Sequence, residues 1–168
     1  MPARLLIMLA VVVGGCDRLA PSRVAVSPDT ASGEVAFELA GAGGAALMVP
    51  LRINGRGPFD FILDTGATVT CVDERLATAL ALPDVPGGIG IGAGVGGQGA
   101  LRLVAMDSLT LGSATAYDLH ACVVDLEHLA GLDLDVDGLV GLNFLREFHV
   151  TLDFERNVLT LADPARVD

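Results

Sequence analysis

The sequence predicts a mainly β domain whose sheet is closed or nearly so. Short runs of apolar and β-branched residues recur along the chain, and clusters rich in Gly, Asn and Pro separate them. Only two short stretches favour helix. The 168 residues are 52% hydrophobic, which is enough apolar material for one core with some extra chain. Closure of the sheet is a common way for such a chain to remove exposed strand edges.

The first residues predict a targeting segment rather than part of the fold. Arg4 supplies a positive start, and Leu5–Val13 is an unbroken apolar run. This run spans about 13 Å as a helix, less than half of the ~30 Å hydrocarbon layer, so a transmembrane helix is a poor interpretation. We therefore expect residues 1–15 to be a signal peptide.

The end of this run resembles the lipobox of bacterial lipoproteins. It consists of Val13-Gly14-Gly15-Cys16, followed by Asp17. The resemblance implies cleavage before Cys16, a lipid on its thiol, and a periplasm-facing protein held in the bacterial cell envelope. An ordinary secretory signal with a chance Cys is the alternative. Asp17 resembles the inner-membrane retention signal of enteric bacteria, and the choice between inner and outer membrane stays open.

The rest of the chain divides into a tether and one domain. Residues 16–33 contain two prolines and no clear periodicity, which predicts a lipid-attached or flexible tether before a domain of residues 34–168. Asn54–Pro58 is a turn cluster that should close a hairpin, and Asp73 is placed to cap a short helix. Strands are expected at 34–39, 47–53, 59–63, 69–72, 101–106, 108–112, 119–125, 137–141, 149–154 and 158–161, and helices at 74–80 and 142–146.

Charge and residue types exclude several function classes. There are 21 acidic residues against ten basic ones, every base is Arg, and the net charge is −11, so nucleic-acid binding is not expected. The histidines (His120, His128 and His149) lack metal-ligand spacing, and we expect no metal and no cofactor. No Ser lies in a Gly-x-Ser-x-Gly elbow, so serine hydrolase chemistry has no support.

Two cysteines, Cys71 and Cys122, lie in β-like apolar runs. In an oxidising compartment they could pair, and two separate buried thiols are an equal alternative because Cys packs well as a small hydrophobe.

The segment 87–99 holds eight glycines in thirteen residues. Gly92–Gly97 spells a dinucleotide-binding fingerprint, but that fingerprint requires a helix after it, and residues 101–106 favour a strand. The segment is better interpreted as a mobile loop or hairpin over a cleft, or else as a flexible connection.

The most informative motif is the turn after the strand at 59–63. Asp64 enters a tight Thr65-Gly66 turn between two apolar runs, and Gly66 permits backbone approaches that a Cβ would block. A carboxylate held at such a bend suits acid–base work on a bound water, although that chemistry normally uses two carboxylates sharing a proton.

Asp64-Thr65-Gly66-Ala67, together with Leu139-Val140-Gly141 seventy-five residues after Asp64, resembles the retropepsin-like aspartic proteases. The resemblance implies a closed β-barrel with one or two short helices, acting as a homodimer on a peptide substrate. It implies that Asp64 is catalytic with Thr65, Gly66 and Ala67 in support, and that Leu139-Val140-Gly141 crosses behind the loop. It also implies that the glycine-rich segment is the substrate flap, formed by Gly92, Ala93, Gly94, Val95, Gly96 and Gly97.

The second carboxylate is absent from this sequence as a motif. Asp107-Ser108-Leu109 lacks the Gly, and Asp137-Gly138 lacks the hydroxyl residue, so Asp137 is expected to be a turn residue. An active site therefore requires two copies of Asp64 across a two-fold axis. Ala67 has no hydroxyl to stabilise the carboxylate, which predicts a less acidic pH optimum than Ser would give. The alternatives are a catalytically silent peptide-binding or dimerisation module and a structural envelope lipoprotein.

Overall fold

The computed structural model describes residues 23–26, 34–94, 97–127, 129 and 134–164. The strands are β1 (Arg23–Val26), β2 (Glu34–Ala36), β3 (Glu38–Ala40), β4 (Ala46–Ile53), β5 (Arg56–Leu63), β6 (Cys71–Asp73), β7 (Asp84–Gly94), β8 (Gly97–Leu111), β9 (Ala114–Val124), β10 (Gly138–Val140), β11 (His149–Asp153) and β12 (Val158–Ala162). The helices are α1 (Glu74–Ala79) and α2 (Leu142–Leu145).

Six strands close into a ring. Their order is β9-β6-β10-β5-β4-β8, and β8 pairs again with β9. The remaining strands extend this barrel: β7 pairs with β8, β1 with β9 and β3 with β4, while β11, β12 and β2 form a separate three-stranded sheet. The predicted mainly β, closed architecture with two short helices is confirmed.

The β4–β5 hairpin closes through a tight turn. Asn54 and Gly55 both have positive φ, at 50° and 74°, which is the geometry of a type I′ turn matched to the twist of the flanking strands. Because two residues complete the turn, β5 begins at Arg56, earlier than the sequence predicts. Asp73 caps α1 as expected, since its side chain accepts a hydrogen bond from the backbone N–H of Arg75.

The glycine-rich segment is a hairpin. β7 and β8 pair antiparallel up to Gly94 opposite Gly97, and residues 95–96 between them lie outside the described residues. β8 runs without interruption through Asp107, where the sequence predicts a break. No Gly or Pro punctuates that position, so the strand continues.

The N-terminal region differs from its prediction in two places. Four residues of the expected tether form β1, which pairs with the edge of β9, and the Arg23 guanidinium lies 4.1 Å from the Tyr117 ring centre. The single strand expected at 34–39 divides at buried Phe37 into β2 and β3, which join different sheets. The predicted signal peptide and Cys16 lie outside the described residues. Within those residues, no helix is long and apolar enough to cross a membrane.

The barrel interior carries the main apolar core. Phe61 of β5, Val72 of β6, Val140 of β10 and Phe144 of α2 all belong to it, and each is buried. The core therefore holds together the strands that enter and leave the Asp64 turn.

Candidate active site

The Asp64 loop joins β5 to β6, and β10 lies between these two strands. β10 pairs parallel with β5, where Val140 is opposite Leu63, and antiparallel with β6, where Leu139 is opposite Cys71. The loop therefore straddles β10, and its two ends cannot separate without breaking the ladder hydrogen bonds on at least one side of β10.

Backbone hydrogen bonds hold the Asp64 carboxylate in place. The Gly66 N–H donates to Asp64 Oδ1 at 2.8 Å, and the Asp64 N–H donates to the Val140 carbonyl at 3.0 Å. The Ala67 N–H closes the turn onto the Asp64 carbonyl at 3.2 Å. Burial raises the pKa of the half-buried Asp64 above its usual value, while hydrogen bonds from the Gly66 and Ala67 backbone oppose that rise.

The other residues of the motif have different environments. The Thr65 side chain is exposed, whereas Ala67 is fully buried beneath the turn. The loop thus presents Thr65 outward beside the carboxylate and anchors itself through Ala67. The supporting catalytic roles of these residues remain predictions.

The Leu139-Val140-Gly141 element lies against the Asp64 loop and leads from β10 into α2. Leu139 and Val140 are buried in β10, and Gly141 is the N-cap of α2. A Cβ added to Gly141 would lie 2.6 Å from the Val69 carbonyl carbon and 2.8 Å from the Ala67 carbonyl oxygen. Only glycine permits this approach without displacing the loop backbone.

The start of α2 adds two backbone hydrogen bonds to the loop. The Leu142 N–H donates to the Ala67 carbonyl at 2.8 Å, and the Asn143 N–H donates to the Thr68 carbonyl at 3.1 Å. The loop and the start of α2 are therefore joined along most of their length.

Two residues of the site, Thr70 and Asn143, were not singled out by the sequence patterns. Asn143 Oδ1 accepts from both the backbone N–H and the hydroxyl of Thr70, each at 2.8 Å. The Thr70 oxygen accepts from the Gly141 N–H at 3.2 Å, and Asn143 Nδ2 donates to the His120 carbonyl at 3.0 Å. Both side chains are buried. The available signal was one polar residue inside the apolar run 139–145, which indicates a buried hydrogen-bond network.

Asp137 is not a second carboxylate for this site. Its N–H donates to the Asp60 carbonyl at 2.8 Å, and its Oδ2 accepts from the Asp60 N–H at 3.0 Å. Asp60 precedes Asp64 by four residues on an extended strand, a separation of about 13 Å. The prediction that Asp137 is a turn residue bonded to its own backbone is therefore wrong, because its side chain is bonded to the neighbouring strand β5. Burial raises the pKa of Asp137.

The predicted flap residues lie at the far end of the β7–β8 hairpin. Gly92, Ala93 and Gly94 end β7, and Gly97 begins β8; Val95 and Gly96 lie outside the described residues. The base of this hairpin packs against the segment that follows the Asp64 loop, and the contacting residues are Val85, Leu101 and Leu103 on the hairpin side and Val69 and Cys71 on the loop side. A role as a flap over substrate stays a prediction.

Cys71 and Cys122 form a disulfide, with their Cα atoms 4.4 Å apart. They are directly opposite each other in the parallel pairing of β6 and β9. Of the two alternatives that the sequence leaves open, the structure shows the paired one.

Comparison with known proteins bears on both the family and the fold of the chain. A family described as "Aspartyl protease" matches residues 49–144, more than half of the chain. Among solved structures, a retropepsin-like aspartic protease from Rickettsia conorii is 17% identical with a TM-score of 0.51, over 83% of this chain and 92% of that one. The retroviral protease-like domain of Ddi1 from Leishmania major is 19% identical with a TM-score of 0.44, over 69% of this chain and 87% of that one.

No curated protein matches the chain in sequence. The likeness to the Rickettsia structure confirms the expected retropepsin-like fold.

Proposed function

The chain belongs to the aspartyl protease family, and from that premise we propose that it is an aspartic endopeptidase whose active site forms between two copies of Asp64. The single observation that carries this proposal is the half-buried Asp64 carboxylate on a loop that β10 and α2 brace from behind. A purely structural turn would be served equally by Asn, whose side-chain oxygen also accepts from the Gly66 N–H, so it has no requirement for an ionisable group in that position.

The chemistry follows from two carboxyl groups sharing one site. Two carboxylates about 3 Å apart do not both ionise at moderate pH, so one keeps its proton. The ionised group takes a proton from water, which attacks the peptide carbonyl carbon. The protonated group donates a hydrogen bond to the carbonyl oxygen and stabilises the developing negative charge. Burial already raises the pKa of Asp64 within one chain, which acts in the same direction as a neighbouring second carboxyl group would.

A second copy of the chain is the proposed source of the other carboxylate. Asp137, which directly precedes β10, is bonded to Asp60, and Asp60 lies about 13 Å from Asp64 along β5. The surface beside the Asp64 loop also presents exposed Thr65 and the partly exposed apolar side chain of Leu142. A two-fold contact at this surface would bring both loops together, with Thr65 placed to hydrogen-bond across the axis.

We also propose that the enzyme works at the bacterial cell envelope, tethered by a lipid on Cys16. Support comes from the lipobox-like end of the N-terminal apolar run. A disulfide between Cys71 and Cys122 agrees with an oxidising compartment. The predicted cleavage before Cys16 is checked by the mass of the mature protein extracted from bacterial membranes.

A cleavage assay tests the proposed function. The wild-type chain and Asp64→Asn are incubated with a peptide library across pH, and the mass of each protein in solution is measured in parallel. We expect cleavage by the wild type alone, with a pH optimum above about pH 4 because Ala67 supplies no hydroxyl to the carboxylate. Equal cleavage by both proteins would end the assignment. A stable dimer with no cleavage by either protein would favour the silent binding module.

A further inference from the structure

We propose that the Cys71–Cys122 disulfide is a positioning element of the candidate active site, and that peptide cleavage depends on its oxidised form. This inference rests on the proposed function, because it concerns the same site. It assigns a role to two residues that lie outside both the Asp64 motif and the predicted flap.

The bridge lies in the middle of a row of directly paired apolar side chains. Paired residues on neighbouring strands direct their side chains to the same face of the sheet. This apolar row consists, in order across the barrel wall, of Met48, Ile62, Leu139, Cys71, Cys122 and Leu103. The residues that alternate with it, such as Phe61, Val72 and Val140, fill the barrel interior. The apolar row therefore lies on the outer face of the barrel wall.

The apolar row connects the two parts that the mechanism must hold together. Asp64 follows Ile62 by two residues, so an extended chain directs the carboxylate toward the same face as the row. At the other end, Leu103 lies in β8 and packs in one cluster with Val85 and Leu101 at the base of the glycine-rich hairpin. The disulfide is the covalent link between these two halves.

The strand on the Asp64 side of the bridge forms short ladders, and the hydrogen bonds between Thr70 and Asn143 brace the residue that precedes it. β6 contains three residues and pairs with β9 at three positions and with β10 at two. The Cys122 N–H donates to the Thr70 carbonyl at 2.9 Å, immediately before Cys71. These attachments are all noncovalent, whereas the disulfide is a covalent bond at the first residue of β6, so it limits how far the loop exit can shift relative to β9 and the hairpin.

Reduction would remove that limit while leaving the core filled. A dithiol reductant such as dithiothreitol delivers two electrons and two protons to the bridge: the S–S bond breaks, each cysteine becomes a thiol, and the reductant closes to its own disulfide. Both cysteines are fully buried, and buried thiols pack as small apolar groups. We therefore expect the barrel to stay folded while the loop and the hairpin base gain freedom.

The test compares the full-length chain in its oxidised and reduced forms, with the thiol count checked by alkylation and mass measurement. The reduced chain should keep its circular dichroism spectrum but lose about tenfold to 100-fold in kcat/KM, because small displacements of reacting groups have effects of that size. Backbone amides of residues 66–72 and 97–106 should exchange hydrogen faster after reduction. Free thiols at both Cys71 and Cys122 in the chain as isolated under oxidising conditions would overturn the proposal.

The double variant Cys71→Val/Cys122→Val is the matched control, since it keeps apolar volume but cannot form the bridge. It should resemble the reduced wild type in both kcat/KM and amide exchange, and dithiothreitol should not change it further. Equal kcat/KM in the oxidised and the reduced wild type would contradict the proposal. If neither form cleaves any peptide, the proposed function fails, and amide exchange alone decides the positioning role: equal exchange in the two forms overturns it, and faster exchange after reduction supports it.

Discussion

Asn143 and Thr70 are joined by two hydrogen bonds of 2.8 Å, both accepted by the same Asn143 oxygen. Thr70 lies six residues after Asp64, and Asn143 lies in α2, so the pair fastens the exit of the Asp64 loop to the helix behind it. The Gly141 N–H completes the connection by donating to the Thr70 hydroxyl at 3.2 Å. The position of the carboxylate therefore depends on buried polar contacts as well as on the barrel.

Replacing the Thr70 hydroxyl tests this connection. Thr70→Val keeps the shape of the side chain but leaves the Gly141 N–H without the Thr70 acceptor, which should lower the free energy of unfolding by about 1–3 kcal/mol. It should also lower kcat at least about tenfold with a smaller change in KM, because the loop rather than the substrate pocket is disturbed. Thr70→Ser is the control: it keeps the hydroxyl, and its kcat should stay within about threefold of the wild type. A larger kcat loss for Ser than for Val would contradict the role assigned to the hydroxyl.

Gly141→Ala should damage the site by steric overlap. The new Cβ would lie 2.6 Å from the Val69 carbonyl carbon, so the loop or α2 must move. We expect a loss of about 1–3 kcal/mol in the free energy of unfolding and a marked fall in kcat. Gly43→Ala is the comparison, because its Cβ meets nothing within 4 Å although its φ is +72°. The Gly43→Ala variant should lose about 1 kcal/mol in the free energy of unfolding and cleave peptides at the wild-type rate. Equal cleavage activity in the Gly141→Ala and Gly43→Ala variants would show that the close approach at Gly141 is not required.

Asp64→Asn should change how stability depends on pH. The pKa of Asp64 is raised in the folded chain, so the folded state holds this proton more tightly than the unfolded state does. The contribution of Asp64 to the free energy of unfolding is therefore fully present below the usual pKa of 3.8, and it is lost as pH rises through the raised pKa of the folded state. The carboxamide still accepts from the Gly66 N–H but does not ionise. Urea unfolding at equal protein concentration should therefore show that the free energy of unfolding of Asp64→Asn increases relative to that of the wild type from about pH 4 to pH 7. The opposite trend would mean that the carboxylate is stabilised by its surroundings.

The disulfide should contribute strongly to stability. It closes a loop with a sequence separation of 51, for which loss of chain entropy in the unfolded state predicts a contribution of about 4 kcal/mol. Urea unfolding of the Cys71→Val/Cys122→Val variant should show a decrease of about 4 kcal/mol in the free energy of unfolding relative to the oxidised wild type. A difference below about 1 kcal/mol would mean that the unfolded chain retains structure around the bridge.

The sequence predicted the parts of the fold that depend on local patterns. Alternating apolar residues and the Asn54-Gly55 turn gave the β4–β5 hairpin, and Asp73 before a run of helix formers gave α1. The sequence predicted a break in β8 at Asp107, and this was wrong because a charged residue can lie within a long strand without ending it. It did not single out Asn143, whose importance arises from contact with Thr70 seventy-three residues away. Register and long-range pairing decide such contacts, and local patterns do not contain them.

A mixing experiment tests the central claim, that the second carboxylate is Asp64 of another copy, most directly. Wild-type chain is equilibrated with increasing amounts of Asp64→Asn, and cleavage is measured per wild-type chain. If the site forms between two copies, a ninefold excess of the variant should reduce cleavage per wild-type chain to about one tenth, because most wild-type chains then pair with an inactive partner. Cleavage per wild-type chain that stays constant at every ratio would contradict the account, since each chain would then hold a complete site by itself.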